Sequence, residues 1–165
     1  MNRTQILSAK QIQQKLNRIA WQIFESNYQE SGIIIAGISG NGFVIAKRLA
    51  SIIKEISDID VLLTEIKINK NEPFNSPIEL NIEEKDYNGK VVILADDVIN
   101  SGKTMIYGVK HFLNVPVKKI NTTALIDRKH LRFPIRTDYA GIVLSTSIKE
   151  HVAVELGENE GVYVE

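Results

Sequence analysis

Three stretches of the chain place apolar residues at helical spacing. The first covers residues 8–27 and starts at Ser8, a candidate helix N-cap. The second covers about 42–56, and the third runs from 105 to about 114. Apolar residues three and four positions apart line one face of a helix. Each stretch is therefore predicted to form an amphipathic helix that packs on one side.

Apolar runs alternate with these helices. Residues 32–38 and 91–95 are continuous runs, typical of strands buried on both faces. Residues 61–68 begin as an apolar run and then alternate, and residues 119–127 are predicted as another strand. Three shorter strands are predicted at 139–144, 151–155 and 162–164. Strands that alternate with helices indicate an α/β fold, with a central parallel sheet flanked by helices.

One segment lacks either pattern. Residues 69–82 hold two prolines, four asparagines and mixed charges, which predicts a mobile loop. No linker, internal repeat or low-complexity segment divides the remaining chain. Residues 1–165 are therefore predicted to form a single domain, which is long enough to bury a real core.

Composition narrows the classes of function. Twenty basic and twenty acidic residues cancel, so net charge gives no support for a nucleic-acid partner, although a local basic patch stays possible. The absence of cysteine excludes disulfides, thiolate metal sites and cysteine nucleophiles. No apolar run approaches the ~20 residues of a membrane span, and the first residues lack the apolar core of a signal peptide. A cytoplasmic location is the expectation.

The most informative motif follows the strand at 91–95. Asp96 and Asp97 come directly after the apolar run, and a loop of small residues, 100–104, leads into the third helix. Parallel sheets bind ligands at the carboxyl ends of their strands. Loop amides before a helix suit a phosphate, and paired carboxylates can accept hydrogen bonds from ribose hydroxyls or lie near hydrated Mg²⁺. The motif therefore favours a sugar phosphate.

Two other interpretations fit parts of this motif. The loop ends in Gly-Lys-Thr, as a nucleoside-triphosphate-binding P-loop does, but the first glycine of that motif would fall at Asp97. A carboxylate there would repel the phosphate. The other interpretation is a strand end whose two aspartates only cap turns.

The motif resembles the 5-phosphoribosyl-1-pyrophosphate (PRPP) signature of type I phosphoribosyltransferases. The resemblance implies that the acidic pair, Asp96 and Asp97, holds the ribose 2- and 3-hydroxyls and serves catalysis. It implies that a phosphate loop binds the 5-phosphate, and this loop comprises Asn100, Ser101, Gly102, Lys103 and Thr104. It also implies Mg²⁺ as the cofactor, bound mostly through substrate and water, with direct contact to the acidic pair possible.

The resemblance extends over nearly the whole chain. It is closest to the branch of bifunctional pyrimidine operon attenuators that are also uracil phosphoribosyltransferases, on residues 16–20, 124–130, 134–141, 145–147 and 162–164. It implies a type I phosphoribosyltransferase fold with a mobile hood loop, and a homodimer or homotetramer. The implied reaction joins PRPP to uracil or another pyrimidine and releases pyrophosphate.

The alternative hypothesis within this branch is a regulator that senses PRPP or a nucleotide and binds RNA of pyrimidine genes, with weak or no catalysis. Members of the branch bind RNA through basic residues on the first helix and near residues 124–141. The corresponding candidates are Arg18, Lys129 and Arg132.

The chain departs from the branch at two loops. The expected pyrophosphate loop comprises Ser39, Gly40, Asn41 and Gly42, with Asn41 where the branch usually has an arginine. Its two glycines and Ser39 can still offer donors to an anion, but a charge-assisted contact is missing. The hood segment, residues 68–77, has only Lys70 as a cation where the branch has arginine. We therefore expect reduced turnover.

The nucleobase is expected near the end of the strand at 139–144. The candidate residues are Val98, Ile126, Val143 and Leu144. Asn100 stands where purine-specific relatives have an aspartate, and its amide cannot take a proton, which disfavours purine-type acid–base help. Asn100 as a simple turn residue, and Asp127 with Arg128 as a structural pair, remain open alternatives.

Overall fold

The computed structural model describes residues 2–165, which form nine strands and four helices. The strands are β1 (Thr4–Ser8), β2 (Gly32–Ile38), β3 (Asp60–Lys67), β4 (Glu79–Leu80), β5 (Val91–Ile99), β6 (Lys119–Asp127), β7 (Tyr139–Val143), β8 (Val152–Glu155) and β9 (Gly161–Val164). The helices are α1 (Ala9–Asn27), α2 (Asn41–Ile56), α3 (Glu84–Tyr87) and α4 (Lys103–Phe112). Among these residues, no helix is long and apolar enough to cross a membrane.

A six-stranded sheet forms the centre of the fold, in the order β4-β3-β2-β5-β6-β7. Strands β3, β2, β5, β6 and β7 are mutually parallel, and only β4 runs antiparallel to its neighbour. Helices α1 and α2 pack on one face, and α3 and α4 pack on the other. Because parallel strands end at one edge, the loops after β2, β3, β5 and β6 meet there.

The two ends of the described chain form a second sheet that the sequence patterns did not predict. Strand β9 lies between β1 and β8 and pairs antiparallel with each of them. Thr4 pairs with Val164, so residues from opposite ends of the sequence lie side by side. This sheet places β8 next to the carboxyl edge of the main sheet, where the Val154 carbonyl accepts a hydrogen bond from Asn41.

The periodic segments are confirmed with small differences at their ends. Ser8 caps α1, and its hydroxyl accepts from the Gln11 amide in a capping box. Strand β5 is longer than predicted, because it continues through the acidic pair to Ile99 while pairing with β6. The predicted loop at 69–82 contains the two-residue strand β4, which is paired with the end of β3.

Candidate functional site

A polar cavity of about 240 Å³ lies where β5 ends and α4 begins. Residues from the hood segment, the acidic pair and the phosphate loop line it. They are Lys70, Asp96, Val98, Ile99, Asn100, Ser101, Gly102, Lys103, Thr104 and Met105. The structure thus gathers all five residues of the predicted phosphate loop, together with one member of the acidic pair, around one space.

The phosphate loop is held in a defined shape by local contacts. Gly102 has a φ of 82°, and a Cβ there would lie 2.5 Å from the Ile135 Cγ2 atom. The Ser101 hydroxyl accepts from the Lys103 amide at 3.2 Å, and the Ser101 carbonyl accepts from the Arg132 amide at 2.9 Å. The loop leads directly into α4, and the first amides of a helix have no intrahelical acceptor and suit an anion.

Asp96 is a deeply buried carboxyl group, 4 % exposed. Its Oδ1 accepts from the Asp97 amide at 2.8 Å and lies 3.8 Å from the Lys70 ammonium. Burial raises the pKa of Asp96 to about 8, and the charge of Asp97 adds to this effect while Lys70 opposes it. The free protein therefore holds a largely protonated Asp96 at neutral pH.

Asp97 is half-buried and makes different contacts. Its Oδ1 accepts from the Val98 amide at 2.8 Å, and its Oδ2 accepts from the Asn41 side-chain amide at 3.1 Å. The same Asn41 nitrogen donates to the Val154 carbonyl at 2.9 Å. Asn41 therefore joins three elements, the start of α2, the acidic pair and β8.

The predicted pyrophosphate loop lies beside the acidic pair. The Ser39 amide and hydroxyl both donate to the Ile66 carbonyl at the end of β3, at 3.0 and 3.3 Å. Gly40 has a φ of 88°, which favours glycine. A Cβ at Gly42 would lie 2.9 Å from the Asp96 Oδ1 atom, so a side chain there would displace the carboxyl group.

The hood segment begins at the same edge of the sheet and contacts the site through two lysines. Lys70 reaches Asp96, as described above, and Lys103 of the phosphate loop donates to the Asn71 carbonyl at 3.3 Å. The Lys103 ammonium also lies 5.8 Å from the centre of the Phe74 ring. Lys70 is thus the hood residue whose charge reaches the acidic pair, a contact that sequence alone did not identify.

The four residues predicted to surround a nucleobase have different surroundings. Val98 lines the cavity, while Ile126, its partner on the neighbouring strand β6, is fully buried. Leu144 is half-buried, and its amide donates to the Asp127 carbonyl at 2.8 Å. Val143 is 54 % exposed. Ile126 therefore lies beside Val98 in the sheet and offers no surface of its own to a ligand.

The three basic residues proposed to bind RNA lie in two different parts of the structure. Arg18 lies on α1, and its guanidinium donates to the carbonyls of Ala140 and Gly141 in β7. Lys129 and Arg132 are exposed and follow the carboxyl end of β6. Arg18 is therefore engaged with the edge of the sheet, whereas the other two lie beyond its carboxyl edge.

Arg128 is a buried residue at the site whose partners the sequence did not reveal. It is 7 % exposed, and its guanidinium donates to the Asn100 side chain at 3.0 Å and to the Thr146 hydroxyl at 2.9 Å. The neighbouring Asp127 instead accepts from the Lys129 amide at 2.9 Å. Across residues 2–165 no ion pair joins Asp127 to Arg128, so the structural pair that the sequence left open as an alternative does not form.

The carboxylates at the site suit a hydrated Mg²⁺ held jointly with a phosphorylated ligand. Within the described chain, no cluster of three or more His, Cys, Asp or Glu side chains could enclose a metal ion alone. Mg²⁺ commonly keeps several waters and binds one or two carboxylates together with substrate phosphates. Asp97, half-buried beside the pyrophosphate loop, fits that arrangement better than the enclosed Asp96.

Known structures share this fold. Hypoxanthine phosphoribosyltransferase of Trypanosoma cruzi superposes with a TM-score of 0.79 at 12% identity, over 98% of this chain and 95% of that one. A hypoxanthine-guanine phosphoribosyltransferase of Bacillus anthracis gives a TM-score of 0.73 at 24% identity, over 86% and 84%. At these identities the likeness concerns the fold.

Sequence comparison identifies the family. The chain is 34% identical to the bifunctional protein pyrR of Enterococcus faecalis, over 98% of this chain and 94% of that protein. It is 31% identical to the bifunctional protein PyrR of Fusobacterium nucleatum, over 94% and 92%. The model of the phosphoribosyl transferase domain matches residues 2–159. The chain therefore belongs to the phosphoribosyltransferase family, with relatives among the bifunctional PyrR proteins.

Proposed function

We propose that this chain is a single-domain, Mg²⁺-dependent phosphoribosyltransferase that joins the ribosyl 5-phosphate of PRPP to uracil or another pyrimidine. The observation that carries the proposal is the cavity shared by Asp96 and the phosphate loop at the carboxyl end of β5. The similarity to bifunctional PyrR proteins over nearly the full length supports a pyrimidine as the base.

The proposed reaction forms a bond between a ring nitrogen of the base and C1 of the ribose, while the bond from C1 to pyrophosphate breaks and the proton on that ring nitrogen passes to water. The acidic pair would orient the ribose through its 2- and 3-hydroxyls, and the loop amides of residues 101–104 would anchor the 5-phosphate. Holding both ends of the sugar fixes C1 between the leaving group and the base. When bound, Mg²⁺ neutralises charge that develops on the pyrophosphate.

The base would lie against Val98, with Leu144 at the edge of the same site and the buried Ile126 beside Val98 in the sheet. Val143 would contribute through its backbone at the end of β7. The amide of Asn100 cannot accept a proton at neutral pH, so this side chain would not remove the proton from the base.

Turnover is proposed to be slow. Asn41 is neutral and already donates to Asp97 and to the Val154 carbonyl. The Ser39 amide already donates to the Ile66 carbonyl, so the leaving pyrophosphate would meet the backbone amides of Gly40 and Gly42 without a contact from a cationic side chain. Such a contact contributes about 1.5–3 kcal/mol, and each 1.36 kcal/mol changes a rate about tenfold.

Binding of PRPP in the presence of Mg²⁺, measured by isothermal titration calorimetry, tests the proposal. The double variant Asp96→Asn, Asp97→Asn should lose measurable binding and still fold. The matched control Asp58→Asn, Asp60→Asn removes two exposed carboxylates and should bind as the wild type does. Unchanged PRPP affinity in the folded Asp96, Asp97 variant would refute the assignment. Pyrophosphate release against a panel of bases then identifies the acceptor.

A second candidate function is regulation by RNA binding, with little catalysis. The branch that the signature resembles binds RNA through basic residues, and Lys129 and Arg132 are both exposed beside the site. A pyrimidine leader RNA should bind with an affinity that falls steeply as salt rises, because phosphate contacts release counterions. The variant Lys129→Gln, Arg132→Gln should weaken binding, whereas Lys47→Gln, Lys54→Gln on α2 should not. No binding at low salt would eliminate this candidate.

Within the proposed function, the oligomer is expected to be a homodimer or homotetramer, as the resemblance implies. Sedimentation velocity of the purified chain measures this directly. A monomer at micromolar concentration that retains PRPP binding would show that assembly is not needed for the site.

A further inference from the structure

Arg128 joins two segments at the cavity through four hydrogen bonds. One goes to the Asn100 side chain at 3.0 Å and one to the Thr146 hydroxyl at 2.9 Å. The other two go to the Ser147 and Glu150 carbonyls, at 3.0 and 2.7 Å. Arg128 therefore holds the first residue of the phosphate loop against the C-terminal loop, residues 144–151.

The chemistry of this contact fixes the orientation of the Asn100 amide. A guanidinium group only donates hydrogen bonds, so the Asn100 atom that faces Arg128 must be the carbonyl oxygen. This removes the usual ambiguity between the oxygen and nitrogen of an asparagine side chain. Within residues 2–165 the Asn100 nitrogen donates to no protein acceptor, and Asn100 lines the cavity. The group that Asn100 retains for a ligand is therefore a donor.

The location of Asn100 favours the base over the phosphate as its partner. Arg128 draws the side chain toward the C-terminal loop, which follows β7, where the base is proposed to bind. The loop amides and hydroxyls that suit the phosphate belong to residues 101–104, which follow Asn100 and lead into α4.

We infer that Asn100, oriented by Arg128, determines specificity by donating its amide N–H to a carbonyl oxygen or an unprotonated ring nitrogen of the base. This inference rests on the proposed function. Arg128 is a positioning residue that acts through Asn100. In the described chain no carboxylate lies within 4.0 Å of the Arg128 guanidinium to balance its positive charge. Because this group contacts Asn100, the same charge can also attract a phosphate at the loop. Experiments must therefore separate recognition of the base from that of the phosphate.

Calorimetric affinities for uridine 5′-monophosphate and for ribose 5-phosphate provide that separation. Their ratio reports the contribution of the base, because changes in phosphate affinity affect both ligands and cancel. Asn100→Ala should lower this ratio at least fivefold. Asn100→Asp keeps an oxygen for Arg128 but turns the remaining donor into an acceptor, and it should lower the ratio at least as far. The control Asn114→Ala, at an exposed position after α4, should leave the ratio unchanged.

A double-mutant cycle tests whether Arg128 acts through Asn100. Lysine keeps the charge but cannot reach all four acceptors, so Arg128→Lys should lower the ratio when Asn100 is present. In the Asn100→Ala background the same change should have no further effect on the ratio. A merely structural role would lower the melting temperature in both backgrounds and leave the ratio alone.

Two negative outcomes are distinguishable. If the wild type binds ribose 5-phosphate and the ratio stays constant in both Asn100 variants, the role of Asn100 is refuted and the proposed function stands. If the wild type binds neither PRPP nor ribose 5-phosphate, the proposed function itself fails, and this inference fails with it. The Asn100 variants decide the matter even if Arg128→Lys does not fold.

Discussion

The buried carboxyl group of Asp96 should make the stability of the free protein depend on pH in a direction opposite to that of most aspartates. Asp96 is 4 % exposed, and the nearby charges are the half-buried Asp97 and the ammonium of Lys70 at 3.8 Å. Burial raises the pKa of Asp96 from 3.8 to about 8. The folded protein therefore keeps a proton that the unfolded chain loses above about pH 4.

The sign and size of the effect follow from proton linkage. Between about pH 4 and pH 8 the folded state binds more protons at this site than the unfolded state does, so stability falls as pH rises. One proton corresponds to about 1.36 kcal/mol per pH unit. From pH 5 to pH 7 the contribution of Asp96 to the free energy of unfolding should fall by about 2–3 kcal/mol.

Urea unfolding of the wild type and of Asp96→Asn at pH 5, 6 and 7, with EDTA present, measures this contribution. The amide variant cannot titrate, so the difference in unfolding free energy between the two proteins should shift by about 2–3 kcal/mol over that range, in favour of the variant at the higher pH. The control Asp60→Asn removes an exposed carboxylate and should follow the wild type. Parallel curves for the wild type and Asp96→Asn would refute the reasoning.

Three further changes test other parts of the structure. Gly102→Ala combines a positive φ with a Cβ 2.5 Å from an Ile135 methyl group, so the free energy of unfolding in urea should fall by about 1–3 kcal/mol. Calorimetry should also show weaker binding of ribose 5-phosphate, and wild-type values for both quantities would contradict the loop geometry. Asn41→Arg should raise turnover of PRPP roughly tenfold to a hundredfold if the loop accommodates pyrophosphate; no gain, with no activity on any base, would favour a non-catalytic sensor. Ser8→Ala should cost about 1 kcal/mol in urea unfolding through loss of the α1 cap, and Ser8→Gly less.

The sequence alone predicted the regular elements of the central fold because each element has a periodic apolar pattern that local geometry requires. The runs at 32–38 and 119–127 match β2 and β6 at both ends. Helix α1 begins and ends within one residue of the prediction. The sequence also predicted that the acidic pair lies next to the residues of the proposed phosphate loop, because they are close along the chain and the order of strand, loop and helix fixes where they lie.

Tertiary structure decided the features that depend on residues far apart in the chain. Strands β1 and β9 pair although they lie at opposite ends of the sequence, so no local pattern could predict the second sheet. Strand β5 continues past the acidic pair because β6 supplies partners for it, and a carboxylate pair alone would suggest a strand end.

Burial and hydrogen-bond partners at the site were likewise outside the reach of sequence patterns. From sequence alone, an apolar residue such as Ile126 could contact a ligand or belong to the core. Only the packed sheet shows that it is fully buried. Asn41 and Arg128 have polar side chains whose partners lie 18 or more residues away along the chain. A buried polar group must find a partner, but its type does not say which one, because that choice is made when distant segments are brought together by folding.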